Sequence, residues 1–506
     1  MKLFFVGAVF GIVSVFTTLY FHDDVIPESV FNPSRELVAV FVTHKRTHYL
    51  AGALRSFLSI AQAELFDVLI SLDFPEAEPA VRALMDQITA EFPFVRDHVR
   101  LVLKEKEWVH WYGRQEWRDQ RIDQHVMFAL RQAFTPAYRS GVFFEEDLEF
   151  SPDFLELMLE GEKVLRADPT LYCVAGWSDY SMKNIPADPK RLIRTDVFPN
   201  LGFLITRATA LDILSRWPGY DLWGWDRWMR REVATLQREC IAPELSRVRH
   251  VGEDGVHVTN NAWYRELPFA TLPPGIGTFT EALSRMKIDD YDAEIRAELA
   301  EAEFVDVSDV KSPEFAFKDG KHYIVPVEYN DCRNGNITRK AFMEPKYVCR
   351  SYHRGLMAAR IGNNSRVYFV ERRAGAEWLP RDLWEPHKRL KLIPSNRNET
   401  CKSLCGRMGY LCSSHDAAHA NTCDALNKAF ECKTCAKSPS HRGSSLRPAV
   451  EVNSWPASFR PAVEECIVSE RPGFFCDEPA PADASLVCPC IPKHCYFNHR
   501  YDYNQQ

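Results

Sequence analysis

An α/β fold built on a mostly parallel sheet is predicted by the first 150 residues. Short apolar strands alternate with helical stretches, which implies strands covered by helices on both faces. Arg46, Asp73 and Asp147 stand at the carboxyl ends of three such strands, where ligands bind in open α/β sheets.

The elements follow in order. ELVAVFVTHKR (36–46) reads as a strand with a polar, basic tip, and residues 48–60 as a helix with Leu50, Ala53, Leu54 and Leu58 on one face. DVLISLD (67–73) is a second strand, 79–90 a helix, VRLVLKE (99–105) a third strand, and 116–134 a helix. GVFFEED (141–147) is the next strand, followed by a helix start with Ser151 as cap and Pro152 in the first turn. Later come the blocks 171–185 and 192–240, an acidic solvated helix over 293–304 and a sheet-like run at 322–332. A cysteine-rich tail starts near 401, divided by an irregular Pro- and Ser-rich stretch at 437–460. No G-x-G-x-x-G opens a helix after the first strand and no G-x-x-x-x-G-K-[ST] occurs, so a phosphate-bearing ligand would need charged side chains or a metal.

The chain has 506 residues and a net charge of −7, with no long basic stripe, which argues against nucleic acid as a partner. Residues 3–21 carry no charge and would span about 28 Å as a helix, close to the hydrocarbon core of a bilayer. The stretch is long for a signal peptide and lacks a clear small-x-small cleavage site, so it reads as a signal anchor. Lys2 before it and His22-Asp23-Asp24 after it put the amino terminus in the cytosol and the rest in a lumen. Of 15 cysteines, none precedes Cys173 and 11 crowd into 401–495. In an oxidising lumen that cluster reads as a disulfide framework rather than zinc ligands, despite Cys432-Lys-Thr-Cys435 and four nearby histidines. The odd total leaves at least one thiol free or available for an intermolecular disulfide. N-x-S/T sites at Asn336, Asn363 and Asn398 fit a lumenal chain.

Two blocks carry candidate chemistry. If 143–149 is one strand, period two puts Glu145, Asp147 and Glu149 on one face and Glu146 on the other. A divalent cation would relieve their repulsion; a plain surface turn is the alternative. In GYDLWGWDRWMRRE (219–232), Trp223, Trp225, Trp228 and Met229 surround Asp226. Indole faces suit sugar rings and also build ordinary cores, and a carboxylate among them is a candidate base. An i,i+4 pair of Asp226 with Arg230 is the competing reading.

GVFFEEDLEFSPDFLE resembles the E-D-D-L-E-x-x-P-D-F-F segment of the β1,2-N-acetylglucosaminyltransferases, which include N-acetylglucosaminyltransferase I and the protein O-mannose enzyme. TDVFPNLGFLITRATALDILSRWP, WDRWMRRE and CIAPELSRVRHVGEDGV resemble three further family segments, in order, over about residues 37–270. The resemblance implies a GT-A fold and inverting transfer of N-acetylglucosamine from UDP-GlcNAc, with Mn²⁺, to O2 of a terminal α-mannose. Carried over residue by residue, it makes Asp147 the metal ligand and Asp226 the catalytic base. Arg46, Asp73, His125, Glu145 and Glu146 become donor-site residues, with Asp73 at the acid that meets uracil. Glu146 departs from the family Asp by a longer arm. Cys173 and Cys240 match one family disulfide. At the other, His44 and Phe74 replace both cysteines, so packing must hold the pocket floor. The tail, 401–495, faintly resembles the C-terminal region of N-acetylglucosaminyltransferase V.

The expected organisation is a cytosolic tip (1–2), the anchor (3–21), a short stem (22–35), a catalytic domain (36–330, donor half to about 150), a linking segment (331–400) and a cysteine-rich domain (401–506). The expected protein is a single-pass type II Golgi membrane enzyme acting on N-glycans. No recognisable carbohydrate-binding module precedes residue 36, which favours an N-glycan over an O-mannosyl acceptor. A non-catalytic lumenal glycan-binding protein is the other reading.

Overall fold

The computed structural model describes residues 35–104, 114–134, 138–178, 181, 187–218, 224–230, 232–236, 238–253, 273–275, 277–328, 353–361, 365–373, 375–438, 458–462, 464–469, 476, 480 and 482–492. Strands β1 (Leu37–Thr43), β2 (Phe66–Leu72), β3 (Val99–Leu103) and β4 (Ser140–Glu145) pair in parallel in the order β3-β2-β1-β4. Helices α1 (Thr47–Leu58), α2 (Glu78–Glu91) and α3 (Arg114–Phe134) connect them. These elements lie within two or three residues of the spans read from the sequence. The sheet continues through β8 (Phe203–Thr206), β6 (Leu171–Ala175), β9 (Glu239–Pro243) and β7 (Leu192–Thr195) to eight strands. β6 and β9 are parallel, while β4–β8, β8–β6 and β9–β7 are antiparallel, so four of the seven pairings are parallel.

Two adjacent phenylalanines show how the sheet is covered. Neighbouring residues on a strand point to opposite faces. Phe144 meets Phe57 of α1 at 5.4 Å between ring centres, while Phe143 meets Phe134 of α3 at 5.8 Å. Both faces are therefore buried, and β1 reads apolar throughout because Val38, Ala39, Val40 and Phe41 have no solvent exposure. Phe41, Phe57, Phe144, Phe150 and Phe154 form one aromatic cluster beneath the strand ends, with ring centres 4.7–5.8 Å apart.

Two local readings are corrected. The acidic segment is not one strand: β4 stops at Glu145, Glu146 and Asp147 turn, and β5 (Leu148–Phe150) pairs with β10 (Val248–His250) in a separate two-stranded sheet. The turn is held where Val251 N donates to Asp147 O at 2.9 Å. The next helix, α4 (Phe154–Ala167), starts later than expected, and Ser151 does not cap it. Ser151 instead extends the β10 contact through its N–H to Arg247 O, and its hydroxyl donates to Asp153. Asp153 is held by the fully buried Arg247.

The acidic helix is also more than a solvated one. In α5 (Arg207–Arg216) and α6 (Trp225–Met229), helices continue the order; α7 (Ile288–Ala300) then buries Ile288, Tyr291, Asp292 and Ile295. Glu298 of α7 accepts two bonds from Arg191, at 2.6 and 2.7 Å. A four-stranded sheet, β11 (Glu303–Phe304), β12 (Tyr323–Val327), β14 (Ser365–Glu371) and β13 (Leu356–Ile361), runs across residue 330. Buried ion pairs join these parts to the main sheet. Arg194 reaches Glu239 and Asp168, His353 sits between Glu239 and Asp292, and Arg366 grips Glu244.

The tail is a disulfide framework. Cys401–Cys488, Cys405–Cys490, Cys412–Cys476, Cys423–Cys435 and Cys432–Cys466 are paired, and Cys173–Cys240 joins β6 to β9. Zinc is thereby denied Cys432, Cys435, Cys488 and Cys490. Cys332, Cys349 and Cys495 lie outside the described residues, as do the anchor span 3–21, Asn336, Asn363 and Trp223. Asn398 is exposed. Among the described residues no helix is long and apolar enough to cross a membrane.

Two stability predictions follow from this packing. Phe144→Ala should cost about 3–5 kcal/mol in chemical denaturation, because it empties the centre of the aromatic cluster; a loss below about 1 kcal/mol would contradict the packing. Burial alone would raise the Glu239 carboxyl, but His353 and Arg194 outweigh it and hold it at about 2, below its usual 4.5. A depressed carboxylate contributes stability above its unfolded pKa and loses it as pH falls towards the folded value. Thermal stability should therefore drop as pH falls from about 4.5 to 2, and Glu239→Gln should flatten that part of the curve.

Candidate functional site

The parallel register brings the strand ends level. Thr43 is opposite Leu72, and Val42 opposite Glu145, so the residues that follow, His44, Asp73 and Glu146, come together. Glu146 is buried; it accepts from His44 N at 2.7 Å and from Arg46 Nε. Arg46 Nη2 also lies 2.8 Å from Asp147 Oδ2, and its guanidinium stacks over the Tyr49 ring. Burial works against the Arg46 charge, but Asp147 and Glu146 outweigh it and raise its pKa.

Asp73 sits among three cations or potential cations. His44 Nδ1 is 2.5 Å from its Oδ1, Arg121 Nε 3.3 Å from its Oδ2, and His125 Nδ1 3.7 Å from Oδ1. Burial would raise the Asp73 carboxyl, yet the His44 hydrogen bond and the charges of His125, His44 and Arg121 hold it below its usual range. His125 is pushed down to about 4 by burial, against the pull of Asp73, and its Nε2 lies 3.0 Å from Ser71 Oγ. The expected packing at the site of the absent disulfide is present: the His44 and Phe74 rings meet edge-on at 4.8 Å.

Glu145, Asp147 and His250 each offer a ligand atom, and these atoms lie within 4.8 Å of one another. Their fit to a cation rests on what lacks a partner. Among the described residues, Asp147 Oδ1 and His250 Nδ1 are buried with no hydrogen-bond partner, which is costly unless a ligand completes them. Burial, then the charges of Asp147 and Asp226, push the Glu145 carboxyl up to about 8. Burial lowers His250, against the attraction of Asp147, which favours the neutral imidazole that can ligate a metal. Two carboxylates and one imidazole suit a divalent cation with open positions. Gly252 leaves room for this group, since a Cβ there would lie 2.3 Å from Asp147 Oδ2.

Glu149 is not part of the group. The turn at Glu146-Asp147 sends it outward, where it pairs with Arg249 across the β5–β10 ladder. Asp226 lies in α6, near enough to raise Glu145. It pairs with Arg230 Nη1 at 3.1 Å, as the i,i+4 reading allowed, and its side chain stays 29% exposed. Trp225 and Trp228 are buried: Trp225 packs on Phe198 and Phe203, and Trp228 on Trp217. These two indoles build core and hold α6 in place.

Sequence reasoning missed His250, Arg121 and Asp123. For His250 a signal existed in the matched charges of two segments: Asp147, Glu149 and Asp153 against His250, Arg249 and Arg247. For the other two it was the R-x-D-x-H spacing within α3.

The GNT-I family matches residues 17–381. An alpha-1,3-mannosyl-glycoprotein 2-beta-N-acetylglucosaminyltransferase from Arabidopsis thaliana is 31% identical over 136 residues, which is 27% of this chain and only 30% of that protein's length. Among solved structures, the mannosyltransferase PcManGT from Pyrobaculum calidifontis, in complex with GDP-Man and Mn²⁺, is 15% identical, with 58% of this chain and 84% of that chain covered and a TM-score of 0.28. S. aureus TarS 1–349 is 12% identical, with 41% and 58% covered and a TM-score of 0.27. Structural likeness at that level supports no conclusion about this chain. The family match, which spans well over half of the sequence, does: this chain belongs to the GNT-I family.

Proposed function

We propose that this chain is an inverting GT-A glycosyltransferase that moves N-acetylglucosamine from UDP-GlcNAc to O2 of a terminal α-mannose on N-glycans. The observation that carries the reading is the group Glu145, Asp147 and His250, with its unpartnered buried atoms, at the carboxyl ends of a parallel sheet and beside Asp226. Asp147, Glu145 and His250 would hold Mn²⁺. When bound, that ion offsets the charge of the donor diphosphate and of the departing UDP.

The remaining roles belong to side chains. Arg46 stays charged and pins Glu146 and Asp147, so both carboxylates are fixed before a donor arrives. Asp73, held by His44 and Arg121, retains lone-pair capacity for an N–H of the uracil ring. Asp226, oriented by Arg230, accepts the proton of the acceptor hydroxyl as its oxygen attacks C1 of the sugar. The C1–O bond to UDP breaks on the opposite face. One base and one assisted leaving group suffice for single displacement, and no enzyme nucleophile is required.

The longer Glu146 arm is consistent with this site. Its carboxylate accepts from His44 N and Arg46 Nε. The six disulfides among the described residues favour an oxidising compartment, in keeping with a Golgi lumenal domain anchored through residues 3–21.

Two experiments test the proposal. The full chain, given UDP-GlcNAc, should modify an oligomannose N-glycan in preference to an O-mannosyl peptide, and Asp226→Asn should bind donor normally while losing at least about 10²-fold in kcat. Normal transfer by that variant would remove Asp226 as the base. Gly252→Ala should weaken Mn²⁺ binding about tenfold or more in calorimetry and also lower the melting temperature, because the new methyl group displaces Asp147 Oδ2, the oxygen that Arg46 holds. Unaltered Mn²⁺ affinity would exclude this ligand set.

A further inference from the structure

Within one turn of α3, polar side chains leave in two directions. At about 100° per residue, Arg121 and His125 share a face, and both reach Asp73. Asp123 leaves from the other side and reaches α6. Its Oδ2 accepts from Gly224 N at 2.9 Å and its Oδ1 from Trp225 N at 2.5 Å. These are the two amides that precede Asp226 in the chain. Asp123 is buried, 1% exposed, so both bonds are shielded from water.

The short helix needs that support. It spans five residues, too few to hold itself in water, and its own capping position, Gly224, offers no side chain. Gly224 has φ +89, a left-handed conformation that a glycine adopts without strain. Two buried indoles hold α6 from the core side, but apolar packing is not directional. The Asp123 carboxylate adds two charge-assisted bonds at the end where Asp226 stands.

We propose that Asp123 is a positioning residue for Asp226, setting the carboxylate that would act as base against the donor face held by the same turn of α3. The proposal rests on the reading of Asp226 as that base. Asp123 bonds to the backbone of α6 and acts through its neighbour. A misplacement of about 1 Å at a reacting group can cost about 10²-fold in rate.

The test is a double-mutant cycle in the full chain, with transfer kinetics and UDP binding measured together. Asp123→Ala should lower kcat about ten- to a hundredfold, while KM for UDP-GlcNAc and Kd for UDP stay within about twofold. Asp123→Asn, which keeps one acceptor oxygen, should recover part of the loss, and it carries the same test if the alanine variant does not fold. In an Asp226→Asn background the change at Asp123 should cost nothing further. The proposal falls if Asp123→Ala turns over normally, if UDP binding is lost in parallel with kcat, or if the two substitutions add. If Asp226→Asn alone transfers normally, the base assignment fails first; if it is inactive while Asp123→Ala is normal, only the positioning role fails.

Discussion

The contact on which this site depends is the grip of one arginine on two buried carboxylates. Arg46 follows β1 and holds Glu146 and Asp147, which follow β4. Without it, both acids would be buried with their charges uncompensated, a situation worth several kcal/mol of destabilisation. From Arg46 a continuous set of polar contacts crosses the strand ends. Glu146 accepts from His44 N, the His44 ring meets Asp73, and Asp73 meets Arg121 and His125 of α3. From α3 the contacts pass through Asp123 to α6. The two candidate regions, the acid cluster and the helix of Asp226, are thus joined by side chains.

This arrangement also explains two departures from the family pattern. His44 and Phe74 stand where the resemblance implies a pair of cysteines, and their rings touch. His44 adds a hydrogen bond to Asp73 and an N–H to Glu146. The extra methylene of Glu146 lets its carboxylate meet that N–H and Arg46 together. A longer acid and a histidine therefore occupy the space as partners. The link is non-covalent and depends on charge, where a disulfide would depend on redox state.

Beyond the main sheet, attachment again relies on buried ion pairs. Arg194, with no solvent exposure, ties Glu239 of β9 to Asp168, and His353 ties Glu239 to Asp292 of α7. Asp416 of the cysteine-rich module is fully buried; it is held by Arg373, which follows β14, and by the N–H of His387. Burial would raise Asp416, but Arg373 and Ser413 keep it at about 2. Such pairs lose strongly when one partner is removed, because a desolvated charge is left behind. Among the described residues, five disulfides cross-link the module within itself.

Local pattern sufficed for much of this protein. Strand and helix positions to residue 145 follow from apolar periodicity, which each segment carries in its own residues. The three carboxylates of Glu145-Glu146-Asp147 and the acid among the tryptophans were visible as charges that burial would penalise. The sequence by itself therefore determined the alternating fold, the strand-end location of the acids, the disulfide-rich tail and the resemblance to a family. The tertiary structure alone decided that the chain turns at Glu146-Asp147, that His250 joins Glu145 and Asp147, that Trp225 and Trp228 are core, and that Asp123 supports α6. Each of these depends on a contact between residues about a hundred positions apart or on how two elements pack. Periodicity reports which face of a segment is buried; it does not report what is packed against that face.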